Sequence, residues 1–248
     1  MPAAKIEIEP ITVTLTGPLH VGAGYARGLI DRAVVRDGRG HVYIPGSSLK
    51  GKAREACERL ARRYGLTVCE PPYPTGMCGT QGGPCIVCRI FGTPGGRQDE
   101  TFELYWDNAY LTPQWVQAGT GLGLTHARTQ VSMSQRRGVG REGLLFTDEF
   151  AAKGLTFQTR ISGHLNLTAV LDEPERYYEL ILLLGGLRLV ETLGGSTSRG
   201  AGQCDIKLPP DVVVTSSQYG TETISVDVTV DRVSLLDLYV EERAEGGV

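Results

Sequence analysis

Apolar and polar positions alternate along IEIEPITVTLT at residues 6–16, the two-residue period of a strand with one buried face. A second strand is predicted near Ala33–Arg36, ahead of the turn-forming DGRG. TFELYWDNAYL (101–111), LTFQTRISGHLNLTAVL (155–171) and TISVDVTV (223–230) predict further strands. A different period runs through SSLKGKAREACERLARRYG (47–65), where Leu49, Ala53, Ala56, Cys57, Leu60, Ala61 and Tyr64 share one helical face. Ser47 or Ser48 is placed to cap this helix and Gly65 to stop it. EPERYYELILLLGGLRLVETLG (173–194) predicts a second helix, apolar around most of its surface and therefore buried. HARTQVSMSQRRGVGREGLLFTDEF (126–150) predicts a long hairpin with QRRGVGRE at its tip.

That order of elements predicts a ferredoxin-like α+β sheet with insertions, in one domain spanning residues 1–248. The insertions are 66–100 and 126–150, and the polar end 241–248 is expected to be disordered. No run approaches the roughly 18 apolar residues of a membrane span, and MPAAKIEIEP lacks a signal peptide's apolar core, so a cytoplasmic protein with no membrane partner is expected.

Net charge is −3, which argues against nucleic-acid binding by bulk charge, but the charges are segregated. Residues 1–63 hold eleven Lys and Arg against six Asp and Glu; from 205 onward nine acids face three bases. A basic front suits a polyanion and an acidic back a neighbouring subunit, with ordinary solvated charge as the alternative.

Four of six cysteines crowd into CEPPYPTGMCGTQGGPCIVCRIFG (69–92). In a reducing compartment such a cluster reads as metal ligands rather than disulfides. Cys69, Cys78, Cys85 and Cys88 supply four thiolates for a tetrahedral zinc ion, with CIVC as a knuckle, although the first pair is spaced more widely than in a regular zinc ribbon. A shell filled by four thiolates leaves no position for water, so the zinc would be structural; iron–sulfur ligation is the first alternative and free cysteines the second. Cys57 and Cys204 read as core residues.

Two motifs suit phosphate, the alternatives being a surface helix start with incidental lysines for the first and a plain tight connection for the second. Lys50, Lys52 and Arg54 lie in the first turns of the 47–65 helix beside Ser47 and Ser48, where unsatisfied amides and the helix dipole attract an anion. GGSTSRGAGQC (194–204) sets Gly195, Thr197, Ser198 and Arg199 among glycines that let backbone approach a phosphodiester. It lacks the GK[ST] ending of a nucleotide P-loop. On the hairpin, Arg128, Arg136, Arg137 and Arg141 can neutralise phosphates, while Met133 either wedges into a base stack or packs on its own hairpin.

Together GLID, IPGSSLKGKAREA, RIFG, RTQVSMSQRRG ending in LLFTDEF, and GGSTSRGAGQ resemble the RAMP superfamily. More closely, they resemble the backbone subunits of type III CRISPR effectors of the Csm and Cmr kind. The resemblance runs from Leu15 to about Leu208. It implies an RRM-like palm with an inserted thumb, the hairpin 126–150, pushed between guide and target RNA. It implies partners in guide RNA, target RNA, other effector subunits and further copies of the backbone. His20 in PLHVGAG and the SSLKGKAR helix start resemble the guide-holding part, and 194–202 the glycine-rich palm loop. Asp31 matches the aspartate with which such subunits cut target RNA, with Mg²⁺ or a similar divalent ion. A carboxylate suits that role by recruiting metal or orienting a ribose 2′-hydroxyl. Alternatives are a non-catalytic backbone subunit, a guide-processing endoribonuclease using His20, His41, His126 or His164, and a zinc-dependent DNA-binding module.

Overall fold

The computed structural model describes residues 3–70, 73, 76–78, 83–93, 103–117, 123–170, 173–216 and 220–239. The expected tail 241–248 and parts of the 66–100 insertion lie outside them.

The alternation at the start of the chain becomes β1 (Ala3–Leu15), which buries Ala4, Ile6 and Ile8, then Ile11, Val13 and Leu15. The switch from even to odd positions coincides with a register shift between Ile8 and Ile11, opposite β7 (Thr156–Asn166). Pro10, which has no amide to donate, sits in the shift, and the extra residue keeps the apolar side chains on one face. The other edge of β1 is shared: Thr12–Leu15 pairs with β8 (Cys204–Lys207), and Ala4–Glu7 with β9 (Asp211–Ser216).

Short strands extend the sheet: β2 (Tyr43–Ile44), β3 (Leu104–Trp106), β4 (Ala109–Leu111) and β10 (Gly220–Ser225). The path runs β10-β9-β1-β7-β4-β2, with β3 also on β7 and β8 on β1, and every strand pairing is antiparallel. The apolar face of β1 belongs to one buried cluster with α1 (Gly46–Arg63) and α4 (Tyr178–Arg188). Between these helices lie α2 (Ile86–Phe91) and α3 (Pro113–Gln117). Gly186 of α4 meets Cys57 of α1 so closely that an added Cβ would overlap the sulfur. This is the mixed α+β architecture expected. A separate two-stranded sheet, β5 (Thr125–Met133) with β6 (Gly140–Ala151), is the expected hairpin.

Four expectations need correction. Ala33–Arg36 forms no strand; its bridges, Gly22 with Val34 and Arg36 with Val42, are isolated ones. TFELYWDNAYL splits into β3 and β4, because Asp107 and Asn108 spend their polar groups on other elements. The second helix is shorter than 173–194, since Tyr177 bridges Ala169 and Thr192 bridges Gln203 in extended backbone. TISVDVTV leaves the sheet at Ser225 and becomes α5 (Val226–Val230). There Val226 and Thr229, three apart, are buried and the Thr229 hydroxyl donates to the Ser225 carbonyl at 2.7 Å, so packing overrides the strand preference of β-branched residues.

Candidate nucleic-acid interface and cysteine site

The chain between β1 and β2 folds across the base of the hairpin. Leu19 and Ala151 exchange backbone bonds of 3.0 and 2.7 Å, fixing the segment that carries His20. The His20 ring is buried beside Phe150, and its Nδ1 donates to the Glu149 carbonyl at 2.7 Å, which fixes the proton on that nitrogen. The His20 carbonyl accepts from the Gly195 amide at 2.8 Å. Gly194 has φ +71°, and a Cβ there would overlap that same carbonyl. Glycine is therefore required where the loop meets His20.

Thr197–Arg199 forms one 3-10 turn after Ser196, which is itself left-handed at φ 62°. Thr197, Ser198 and Arg199 are exposed. Asp31 is exposed as well, and the Thr147 amide of β6 donates to its Oδ2 at 2.7 Å. Among the described residues its Oδ1 has no hydrogen-bond partner. Next to it Arg32 forms a two-pronged pair with the buried Asp148, which also accepts from Gln130 Nε2 at 2.7 Å. Gln130 Oε1 accepts from Arg199 at 2.9 Å. Asp31, His20, Gly195 and Arg199, 179 positions apart at the extremes by their numbers, are thus gathered at one place.

The neighbouring Glu149 is buried too, accepting from Arg36 at 2.6 Å and from the Val34 amide at 3.0 Å. Burial alone would push its carboxyl up, but the Arg36 hydrogen bond, the amide and the guanidinium charge together hold it below its ordinary value. Further along, the Arg128 guanidinium lies 5.1 Å over Phe150. Burial, then the Arg128 charge, lower the His126 pKa. At the far end Met133 is 53% exposed, with Arg136 and Arg137 exposed in the turn.

The α1 start lies elsewhere, against the β3–β4 edge. Pro45, not Ser47 or Ser48, is the N-cap, and no side chain of α1 caps it. Instead Asn108 Oδ1 accepts from the Gly46 amide at 2.9 Å, and the Pro45 carbonyl from the Ser48 amide at 3.0 Å. A Cβ on Gly46 would overlap the Trp106 carbonyl, so the close approach replaces a serine cap. Lys50 pairs with Glu103 at 3.4 Å and Lys52 with Glu55 at 2.8 Å. Arg54 turns inward to Glu58 at 3.0 Å, the Gly92 carbonyl at 3.0 Å and Cys88 Sγ at 3.4 Å.

Cys69, Cys78, Cys85 and Cys88 converge, their sulfurs all within 4.8 Å of one another. Sulfurs at zinc–sulfur bonds of about 2.3 Å in a tetrahedron lie roughly 3.8 Å apart, so this donor set fits a zinc ion. Cys85 stands at the N-cap of α2 and Cys88 in its first turn. The Cys85 amide donates to Cys78 Sγ at 3.2 Å. The Cys85 thiol is pulled down to about 4, first by its hydrogen bond with Cys88, while that contact and burial push the Cys88 thiol up. One thiol of the pair is therefore ready to bind as thiolate.

Asp148, Glu149, Gln130, Arg36 and Asn108 were not singled out from sequence. The two adjacent acids in LLFTDEF were the available signal: in a strand they point to opposite faces, and one must find a cation inside.

Proteins named CRISPR system Cms endoribonuclease Csm3 are similar over most of the chain. That of Methanocaldococcus jannaschii is 28% identical over 213 residues, 82% of this chain and 80% of its own. That of Streptococcus thermophilus is 29% identical over 212 residues, 82% and 87%. That of Mycobacterium tuberculosis is 48% identical over a shorter 66 residues, 25% and 26%. The RAMP superfamily matches residues 12–205, from the middle of β1 through the hairpin and the glycine-rich loop into β8, and the chain belongs to that superfamily.

Proposed function

We propose that the chain is a backbone subunit of a type III CRISPR effector that binds guide RNA and cleaves complementary target RNA at Asp31. The observation that carries this is an exposed carboxylate fixed by a backbone amide at the base of an arginine-bearing hairpin. The similar proteins named endoribonucleases support it.

In this reading the α+β body is an RRM-like palm and 1–248 one domain, with excursions at 66–100 and 126–150. His20, Ser47, Ser48, Lys50, Lys52, Arg54, Gly195, Thr197, Ser198 and Arg199 hold guide backbone. Arg128, Arg136 and Arg137 neutralise phosphates along the hairpin, and Met133 wedges beside a base at its tip. Specificity comes from base pairing, the protein holding shape and backbone.

Asp31 orients the target ribose 2′-hydroxyl for in-line attack on the adjacent phosphorus. The new bond joins O2′ to phosphorus, the bond to O5′ breaks, and the proton passes to the leaving oxygen by way of the carboxylate or water. Asp31, whose Oδ1 has no hydrogen-bond partner among the described residues, would be the residue to hold Mg²⁺ or a similar ion. Such an ion supplies positive charge at the reacting phosphate. The four cysteines hold structural zinc, in keeping with the reducing cytoplasm. Among the described residues no helix is long and apolar enough to cross a membrane.

The test is a reconstituted complex given complementary RNA and Mg²⁺. Regularly spaced fragments are expected from the native chain and at most a residual trace from Asp31→Ala; an Asp31→Ala complex that cuts equally well removes the assignment.

A further inference from the structure

We propose that Asp148 is a positioning residue for Asp31. It holds the loop carrying Asp31 against the hairpin and, through Gln130, sets Arg199 of the glycine-rich loop in the same frame. The proposal rests on Asp31 as the cleaving residue.

Residues 24–29 are exposed, Leu29 by 95%, so this loop has little packing of its own to place a carboxylate. Its placement falls to residues 31 and 32. Both amides donate to the Thr147 carbonyl, at 2.9 and 3.2 Å, and the Arg32 carbonyl accepts from Glu149 at 3.0 Å. The Arg32 guanidinium grips Asp148 through Nε and Nη2, both at 2.5 Å, and lies 5.0 Å over the Phe146 ring. Asp148 is 1% exposed while the Arg32 side chain is 48% exposed. An ion pair with one member fully withdrawn from water contributes little net stability, and an apolar pair would fold as well. Its two-pronged geometry, by contrast, admits one orientation of the guanidinium.

The remaining acceptor capacity of Asp148 goes to Gln130, which passes its carbonyl to Arg199. Four side chains from the loop, β5, β6 and the glycine-rich loop thereby form one continuous series of bonds. Because Arg32 and Asp31 are adjacent, any slack in the Arg32 grip becomes displacement of the Asp31 carboxylate.

The test is Asp148→Asn in the assembled effector, which removes the charge while keeping side-chain volume. Single-turnover cleavage at saturating target is expected to fall on the order of 10- to 100-fold, the scale of misplacing a reactive group by about 1 Å. Target affinity should stay unchanged, and more Mg²⁺ should be needed for half-maximal rate. In an Asp31→Ala background, Asp148→Asn should lower residual cleavage no further. Arg32→Lys keeps the charge but not the fork, at a half-exposed position; it should share the defect, and it decides the matter if the Asp148→Asn chain does not assemble. If Asp31→Ala is inactive while Asp148→Asn and Arg32→Lys cleave at the native rate, the positioning role is wrong and the function stands. If target binding falls in step with cleavage, the role is also wrong, because Asp148 then serves folding or affinity. If Asp31→Ala cleaves normally, the functional reading itself fails.

Discussion

Replacing Gly194 by alanine separates two costs that the structure assigns to different glycines of one loop. At Gly200 the backbone is left-handed, φ +79°, and a Cβ would meet nothing within 4 Å. Alanine there costs only the conformational penalty, about 1–2 kcal/mol. At Gly194, φ +71°, the same penalty applies, and the Cβ would overlap the His20 carbonyl and press on Leu19. Neither neighbour yields easily, because Leu19 is tied to Ala151 on both sides and His20 to Glu149. Relief requires the loop to lift, which gives up the Gly195 to His20 hydrogen bond, worth about 0.5–1.5 kcal/mol. Residual overpacking adds about 1–3 kcal/mol. Gly194→Ala should therefore exceed Gly200→Ala by about 2 kcal/mol or more, a gap of roughly 4–8 °C in Tm for a chain of this size. Calorimetry or urea titration of the two variants reads the difference, and filter binding reads guide affinity, which should weaken for Gly194→Ala as Thr197 to Arg199 move with the loop. Equal loss of stability in the two variants would show that the loop does not depend on close approach to His20.

Serine at Cys85 or Cys88 should abolish stoichiometric zinc, measured by plasma emission, and lower stability and assembly before it lowers the cleavage rate of complexes that do form; a zinc-free chain that assembles normally would contradict this. Glu149 carries a carboxyl held below its ordinary value, so its contribution to stability is present above pH 4.5 and is lost as pH falls through the lowered folded value. Urea midpoints of Glu149→Gln should accordingly fall less steeply below pH 4.5 than those of the native chain, although the variant is weaker at pH 7 for leaving Arg36 without its carboxylate; parallel curves would refute the linkage.

The periodic elements were legible because periodicity reports burial directly. β1, α1 and the hairpin follow from their patterns, and the cysteine cluster from spacing alone. Val226 to Val230 misled because β-branched residues favour strands only where a sheet receives them, and here the burial of Val226 and Thr229 decided for helix. The serine cap of α1 failed for a similar reason, an asparagine 62 positions away having taken the Gly46 amide. For Asp148 the adjacent acids of LLFTDEF told only that one of the two should be buried; its partner Arg32, 116 positions upstream, could not be named from the pattern. What makes the site is the meeting of distant polar groups, and no local pattern encodes it.

The switch of partner along β1 has a mechanical consequence. β9 holds its first half and β8 its second, and the break between them, Leu208 to Pro210, faces the register shift around Pro10. On that edge no ladder bond spans the break, so the two halves of β1 are held there by separate strands and are joined only through β1 itself and β7. If the chain repeats along a guide RNA, as proposed above, such a seam would be of use to it. In that assembly, differences between neighbouring copies would be taken up at Ile8–Ile11, leaving the mutual geometry of the loop, hairpin and glycine-rich turn around Asp31 unchanged.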